Sequence, residues 1–353
     1  MSGKQILPAS FRDPSGHLYR ENGVLYRQVN TGYKENYDLL LDSGLYQDLV
    51  ESGLLIPHEE MGEDYPLPAG AYKVLKPEPV PFISYPYEWS FSQLKDAALT
   101  TLRIQKRALK FGLSLKDCSA YNIQFRRGKP VLIDTLSFER YREGEPWVAY
   151  RQYCQHFLAP LALMSHTDVR LNQLLRVYVD GLPLDLASRL LPLSTRFRFS
   201  LLSHLHLHAK TERHYAGQRI DTLQHRVSRT AFLALLDNLE SATRGLQWQP
   251  TGTAWADYYA ATNYSADALQ HKARLVRELL GSLKAGSGVA WDLGANIGFF
   301  SRIASDQGWQ TVSFDNDPAC VERNYLECVE KGQTHVLPLL VDLTNPSANV
   351  GWA

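Results

Sequence analysis

The stretch Val289-Ala-Trp-Asp-Leu-Gly-Ala-Asn-Ile-Gly-Phe-Phe-Ser301 lies near the end of a 353-residue chain and determines how that part folds. Val289 to Leu293 predicts a short strand, and Phe299 begins a pattern typical of a helix. Between them Gly294, Asn296 and Gly298 follow at a spacing of two, which predicts a tight turn. Such a turn can approach a ligand closely, and the following helix N-terminus offers unpaired amides. The stretch therefore predicts a site for a cofactor with a polar end.

The fingerprint Asp-x-Gly-x-Asn-x-Gly differs from the dinucleotide pattern Gly-x-Gly-x-x-Gly, because an acidic residue precedes the first glycine. It resembles motif I of class I S-adenosylmethionine-dependent methyltransferases. That resemblance implies a Rossmann-like α/β domain in which Asp292, Gly294, Asn296 and Gly298 contact the amino acid moiety of the cofactor. Taken alone, a Gly-rich turn of this kind also fits a tight connection that binds nothing.

Acidic residues follow the next two predicted strands. Gln310 to Phe314 predicts a strand that ends in Asp315, about 20 residues after the turn, where nucleoside-binding units place a carboxylate on the ribose hydroxyls. Asp317 could share or replace that role. His335 to Val341 predicts a third strand, and the resemblance implies that Asp342 lies beside the adenine. Each acid alone also fits a helix N-cap or a solvated loop, but their position after successive strands favours a binding site.

An aromatic segment, Trp255 to Ser265, precedes this unit and leads into a predicted amphipathic helix. The methyltransferases that the chain resembles often carry a segment with Tyr and Ser before motif I, which closes over the methionine end of the cofactor. The resemblance therefore makes Tyr264, and with it Ser265, candidates for cofactor contact. Aromatic clusters are otherwise more often part of a core.

A second pattern occurs in the first half of the chain. Asp117 is followed after four residues by Asn122, then by a predicted strand, a turn and a strand that ends in Asp134. This is the spacing of a phosphotransferase catalytic loop with its metal-binding pair. The stretch resembles the protein-kinase-like fold, closer to small-molecule kinases than to protein kinases. The resemblance implies that Asp117 orients the acceptor hydroxyl and that Asn122 and Asp134 hold the magnesium of Mg-ATP.

The kinase-like pattern departs from the family in several places. Leu115-Lys116 precedes the first Asp instead of a His-containing dipeptide, Thr135-Leu136 follows the last Asp instead of Phe-Gly, and no glycine-rich loop is recognisable. The alternative interpretation is that these polar residues only cap a turn and begin a strand. The pattern therefore favours the fold over the activity. The cations available to pair with phosphates are Arg27, Lys34 and Lys73.

Composition excludes several classes of protein. The chain has 37 basic and 37 acidic residues, so we expect no extended nucleic-acid surface. Its four cysteines lack Cys-x-x-Cys spacing and indicate neither a disulfide framework nor a zinc site. The N-terminus does not resemble a signal peptide, and no apolar run is long enough to span a bilayer. We expect a cytoplasmic protein without a membrane partner.

These patterns predict three regions: a kinase-like α+β domain over residues 1–195, a helical connector over 196–248, and the N-terminal half of a class I methyltransferase domain over 249–353. The C-terminal region supplies only the first three strands of such a domain, whose first strand is normally central. We therefore expect a C-terminally truncated version of a longer protein. Because acceptor-binding residues usually follow the fourth strand, the sequence assigns no catalytic residue to methyl transfer.

The combined pattern resembles bacterial methyltransferases related to certain nodulation proteins. It implies S-adenosylmethionine-dependent methyl transfer to a glycan, a small molecule or a protein. Two alternatives stay open: an ATP- and magnesium-dependent phosphotransferase that uses Asp117, and a non-catalytic adaptor. The sequence leaves the oligomeric state open.

Overall fold

A five-stranded antiparallel sheet opens the chain in the computed structural model, which describes residues 4–7, 10, 13–62, 64–207, 226–253, 255, 265–283 and 288–346. The dipeptide Asn22-Gly23, which in a sequence is a strong hairpin signal, forms the turn between two strands of this sheet, and both turn residues have positive φ, 51° and 81°. In chain order the strands are β1 (Gln5–Ile6), β2 (Gly16–Glu21), β3 (Val24–Asn30), β4 (His58–Glu60) and β5 (Ala71–Pro77). Their order across the sheet is β1-β2-β3-β5-β4.

Two helices, α1 (Lys34–Asp42) and α2 (Leu45–Glu51), lie between β3 and β4 along the chain, and α3 (Phe91–Lys110) follows β5. A capping box starts α3, because the Ser90 hydroxyl accepts from the Gln93 amide and the Gln93 side chain accepts from the Ser90 amide. The apolar side of α3 is buried over its whole length and belongs to the largest hydrophobic cluster of the described residues. This helix is therefore the central support of the fold.

Four short strands after α3 carry the kinase-like motif. They are β6 (Leu113–Leu115), β7 (Ile123–Arg126), β8 (Lys129–Leu132) and β9 (Phe138–Arg140), and they pair as β6-β9 and β7-β8. The predicted strand, turn and strand after Asn122 thus form an antiparallel hairpin.

The next part is helical, and Tyr150 to His166 forms one rod with a π-helical turn at Cys154–Leu158. No helix among the described residues combines the length and apolar character needed to cross a membrane. The helices are α4 (Tyr150–Tyr153), α5 (Ala159–His166), α6 (Leu174–Val177), α7 (Leu184–Leu190), α8 (Phe199–Leu201) and α9 (Arg229–Gly245).

The last part alternates helices and parallel strands in the order α10 (Ala266–Ser282), β10 (Val289–Leu293), α11 (Phe299–Asp306), β11 (Gln310–Asp315), α12 (Pro318–Glu330) and β12 (Val336–Leu340). The sheet order is β10-β11-β12, so β11 is central and β10 is an edge among the described strands. Trp291 and Leu293 on β10 are 63% and 55% exposed. The three carboxyl ends meet at one side of the sheet, where ligands of open α/β sheets bind.

The contact between α3 and α12 joins the two halves of the molecule. Glu322 is buried, and its carboxylate accepts from the Ser92 amide at 2.9 Å and the Ser92 hydroxyl at 2.5 Å. One turn further along α3, Asp96 accepts from the Tyr325 hydroxyl at 2.7 Å. The Gln93 side chain also donates to the Pro338 carbonyl on β12 at 3.0 Å. Buried polar groups require such partners, so these bonds fix the sheet against α3.

The Tyr325–Asp96 bond provides a test of this contact. Burial raises the pKa of Asp96, and the hydrogen bond from Tyr325 opposes that rise because it stabilises the charged carboxylate. We expect Tyr325→Phe to lower the free energy of unfolding by about 1–3 kcal/mol at neutral pH. The loss should shrink as the pH falls through the raised pKa, because the protonated carboxyl no longer needs a donor.

Urea unfolding of Tyr325→Phe at about pH 7 and about pH 4 measures this loss, and the same change in an Asp96→Asn background is the control. An equal loss in both backgrounds and at both pH values would show that the hydroxyl does not act through Asp96.

Candidate functional site

A cavity of about 580 Å³ opens at the carboxyl ends of β10, β11 and β12. This volume lies within the range of small-molecule sites. Five of the residues that the sequence predicts for cofactor binding line it: Asp292, Gly294, Asn296, Asp315 and Asp342. Tyr264 lies outside the described residues. Ser265 caps the first turn of α10 by accepting from the Ala268 amide at 3.2 Å.

Asp292 stands at the end of β10 and is largely buried. Its Oδ2 accepts from the Ser301 hydroxyl on α11 at 2.6 Å. Burial raises the pKa of Asp292, whereas the bond from Ser301 and the positive charge of Lys272 oppose the rise. The carboxylate is therefore oriented from one side by Ser301 and is suited to receive a cationic ligand group.

The glycine turn has the backbone that its sequence requires. Gly294, Asn296 and Gly298 have φ of 74°, 50° and 77°, a region that favours glycine and tolerates Asn. Gly298 does not line the cavity, because it faces α12, where an added Cβ would lie 2.3 Å from the Asn324 side chain. Asn296 lines the cavity but also donates from its side chain to the Trp255 carbonyl at 3.1 Å. Two residues of the motif thus also serve packing.

The two acids after β11 have different roles. Asp315 lines the cavity, and its two oxygens accept from the amides of Asn296 at 2.7 Å and Asp317 at 2.9 Å. Asp317 is only 4% exposed and caps α12 by accepting from the Ala319 amide at 2.9 Å. It also accepts from the Trp255 amide at 3.0 Å. Only Asp315 of this pair therefore lines the cavity, with a carboxylate that the backbone holds in place.

Asp342 follows β12 on a solvent-facing turn. Its Oδ1 accepts from the Thr344 hydroxyl at 2.7 Å and the Thr344 amide at 2.8 Å. These bonds lower the pKa of Asp342 because they stabilise the charged form. Asp342 is therefore ionised at neutral pH and set at the cavity rim.

Sequence reasoning missed several side chains of the cavity wall, including aromatic and basic ones. Trp255, Lys272 and Phe300 line it, and Nζ of Lys272 lies 4.7 Å from the centre of the Phe300 ring. Lys272 is the one basic side chain among the described lining residues. A single lysine on an amphipathic helix gives no signal in the sequence, because surface helices commonly carry lysine.

Two of the three kinase-like residues, Asp117 and Asp134, are engaged by protein groups. Asp117 accepts from the Ser119 amide at 2.9 Å and the Gln152 side chain at 2.8 Å. The side-chain nitrogen of Asn122 is buried without a partner in the described structure. Asp134 caps a short turn by accepting from the Leu136 amide at 3.1 Å.

The contacts of Arg27 show whether Asp134 is available as a magnesium ligand. Its Nη2 lies 2.7 Å from Oδ1 of Asp134 and 3.0 Å from Oδ2 of Asp13, and the Arg27 and Asp134 side chains are only 12% and 13% exposed. The other oxygen of Asp134 accepts from the Ser137 hydroxyl at 2.7 Å. The Arg27 guanidinium thus occupies the place beside the Asp134 carboxylate where a divalent cation would bind. The residues as arranged do not fit a magnesium site.

The other two predicted phosphate-pairing cations also have carboxylate partners. Lys34 pairs with Asp38 at 2.7 Å, and Lys73 pairs with Glu60 at 2.7 Å. Within the described ranges, no group of three or more His, Cys, Asp or Glu side chains has the arrangement of a metal site. All three cations that the sequence offered for phosphate pairing therefore have carboxylate partners in the described structure.

Replacement of Arg27 tests this interpretation. Arg27→Met leaves Asp134 as a largely buried carboxylate without its cation, so we expect the free energy of unfolding to fall by about 3 kcal/mol. Arg20→Met, an exposed arginine on the neighbouring strand, is the matched control and should change it by less than about 0.5 kcal/mol. Urea unfolding measures both variants.

Thermal unfolding of the parent protein with ATP and magnesium completes the test. We expect an unchanged melting temperature. Stabilisation by ATP that requires magnesium would contradict the assignment of Arg27 as the cation at Asp134.

Known proteins resemble this chain to very different degrees. No family model matches it. The fold of vaccinia related kinase 3 covers 69% of this chain and 91% of its own, with 13% identity and a TM-score of 0.34, and a likeness at that level supports no conclusion. The nodulation protein NoeA of Rhizobium meliloti (strain 1021) is 32% identical over 351 residues, which are 97% of this chain and 73% of that protein. Because identity at this level extends over nearly the whole chain, the chain belongs to the NoeA family of nodulation proteins.

Proposed function

We propose that this protein binds S-adenosylmethionine in the cavity at the carboxyl ends of β10 to β12 and acts as a methyltransferase. The observation that carries the proposal is the meeting of Asp292, Lys272 and Asp315 around one cavity. The cofactor has a zwitterionic amino acid at one end and a ribose with two hydroxyls toward the other. Groups that match both ends line the same space.

Asp315 suits the ribose. The amides of Asn296 and Asp317 hold its two oxygens in place, and each carboxylate oxygen has a further lone pair for a hydroxyl donor. Charge-assisted bonds of this kind are stronger than bonds between neutral groups. Asp342 stands at the end of the next strand, on the side that the motif assigns to the adenine.

Asp292 and Lys272 suit the amino acid end. Both line the cavity, and the positive charge of Lys272 acts on the Asp292 carboxyl. A carboxylate beside an ammonium group is the complement of an α-amino acid, with Asp292 toward the ligand ammonium and Lys272 toward the ligand carboxylate. The pair would therefore orient the cofactor as well as bind it.

When bound, the cofactor supplies an electrophilic methyl group on a positively charged sulfur. The side chains assigned here bind and orient, and none is assigned to remove a proton from the acceptor. The acidic lining favours a ligand of net positive charge, which weakens binding of the neutral thioether product relative to the cofactor. The phosphotransferase alternative is not proposed, because Arg27 engages Asp134.

Asp315→Ala tests the ribose contact. We expect S-adenosylmethionine affinity to fall roughly 10- to 100-fold, because the ribose hydroxyls lose a charged acceptor. Asp306→Ala, an exposed carboxylate at the end of α11, is the matched control and should leave affinity unchanged. Calorimetric titration measures both. A folded parent protein that does not bind S-adenosylmethionine would refute the proposed function.

Lys272→Met tests the amino acid contact. We expect S-adenosylmethionine affinity to fall roughly three- to tenfold, because an exposed ammonium contributes modestly to a carboxylate contact. Methylthioadenosine, which lacks the amino acid moiety, should bind Lys272→Met and the parent equally. Arg274→Met on the same helix is the control. Equal loss for the two ligands would assign Lys272 to another part of the site.

A further inference from the structure

The segment from Val341 to Pro346 forms one wall of the cavity and leads away from it. Val341, Asp342, Leu343 and Thr344 line the cavity. The near end of this segment is tied to the sheet, since the Val341 amide donates to the Asp315 carbonyl at 2.8 Å. Within it the Asn345 amide donates to the Asp342 carbonyl at 3.0 Å. The segment is otherwise exposed, with Leu343 54% exposed, so its position depends on few contacts.

Arg176 holds the far end of this segment from the other half of the molecule. It lies on α6, and its Nη1 and Nη2 donate to the carbonyls of Asn345 at 3.3 Å and Pro346 at 2.5 Å. Two adjacent backbone carbonyls suit the planar fork of a guanidinium, which can donate to both at once. The contact links residues that are 169 and 170 positions apart in the chain.

Arg176 is held in place by a ring contact, and neighbouring residues are fixed by hydrogen bonds and burial. Its guanidinium lies 5.9 Å from the centre of the Tyr87 ring. The Tyr87 carbonyl accepts from the side chains of Asn172 at 3.1 Å and Gln173 at 2.7 Å, both just before α6. Leu175, next to Arg176, is fully buried. Arg176 therefore projects from a fixed point of the first half onto Asn345 and Pro346, which follow the lining residues Leu343 and Thr344 in the chain.

We propose that Arg176 is a positioning residue for the cofactor, which sets the Asp342–Pro346 segment against the nucleoside end of the cavity. The inference rests on the proposed function. The first half of the chain then has a direct role in cofactor binding, because it completes a wall that β12 alone does not hold. The hydrogen bonds from Thr344 lower the pKa of Asp342, and the positive charge of Arg176 acts in the same direction.

The role predicts a particular pattern of ligand loss. Arg176→Ala frees the nucleoside wall and should weaken S-adenosylmethionine and methylthioadenosine by the same factor, about tenfold. Lys272→Met should weaken only the ligand with the amino acid moiety. Arg176→Lys should restore part of the affinity, because a lysine keeps the charge and one carbonyl contact. Arg170→Ala, an exposed arginine paired with Asp168 shortly before α6, is the control and should change neither affinity.

Calorimetric titration of both ligands into these variants tests the role, together with hydrogen exchange of the Asp342–Asn345 amides without ligand. We expect faster exchange there in Arg176→Ala and an unchanged melting temperature. Failure of the parent to bind either ligand would refute the proposed function and, with it, a cofactor role for Arg176. If the parent binds the ligands and Arg176→Ala binds them with the same affinity, this inference alone is overturned. The same holds if the amides of this segment exchange at the same rate in both proteins.

Discussion

The buried contact between α3 and α12 is the constraint on which the arrangement of the two halves depends. Glu322 receives the Ser92 amide and hydroxyl in the first turn of α3, where a helix has unpaired amides and a partial positive charge. Burial raises the pKa values of both Glu322 and Asp96. Loss of the hydrogen-bond donors to either carboxylate would therefore lower the free energy of unfolding. A small displacement between the helices would leave both unpaired. The contact therefore restricts α3 and the parallel sheet to one relative placement. That placement also fixes the position of the cavity at the end of the sheet.

Within the parallel sheet, carboxylates with similar positions in the sequence perform different work. Asp317 satisfies the first turn of α12 and anchors Trp255, whereas Asp315 is held by amides but still faces the cavity. The difference follows from which amides each carboxylate meets after β11. Asn296 shows the same sharing of tasks, since it lines the cavity and also binds the Trp255 backbone. A few residues of one turn thus both line the cavity and make structural contacts.

Two arginines of the first half form contacts between separate elements of the fold. Arg27 pairs with Asp134 inside the first half, where a largely buried carboxylate needs a cationic partner. Arg176 extends from the first half and donates to the backbone carbonyls of Asn345 and Pro346, shortly after Asp342. Each arginine thus links groups that are more than 100 positions apart in the chain and lie on separate elements.

The sequence by itself determined the strand, turn and helix around Gly294, the strand that ends in Asp315, and the hairpin at Asn22-Gly23. These features depend on the backbone preferences of a few consecutive residues, which a sequence displays directly. Only the tertiary structure decided that Gly298 faces Asn324, that Lys272 joins the cavity, and that Arg27 and Arg176 reach Asp134 and Pro346. Those contacts join side chains or backbone groups from separate elements of the fold. Their partners are set by how helices and sheets pack, and no local pattern records that packing.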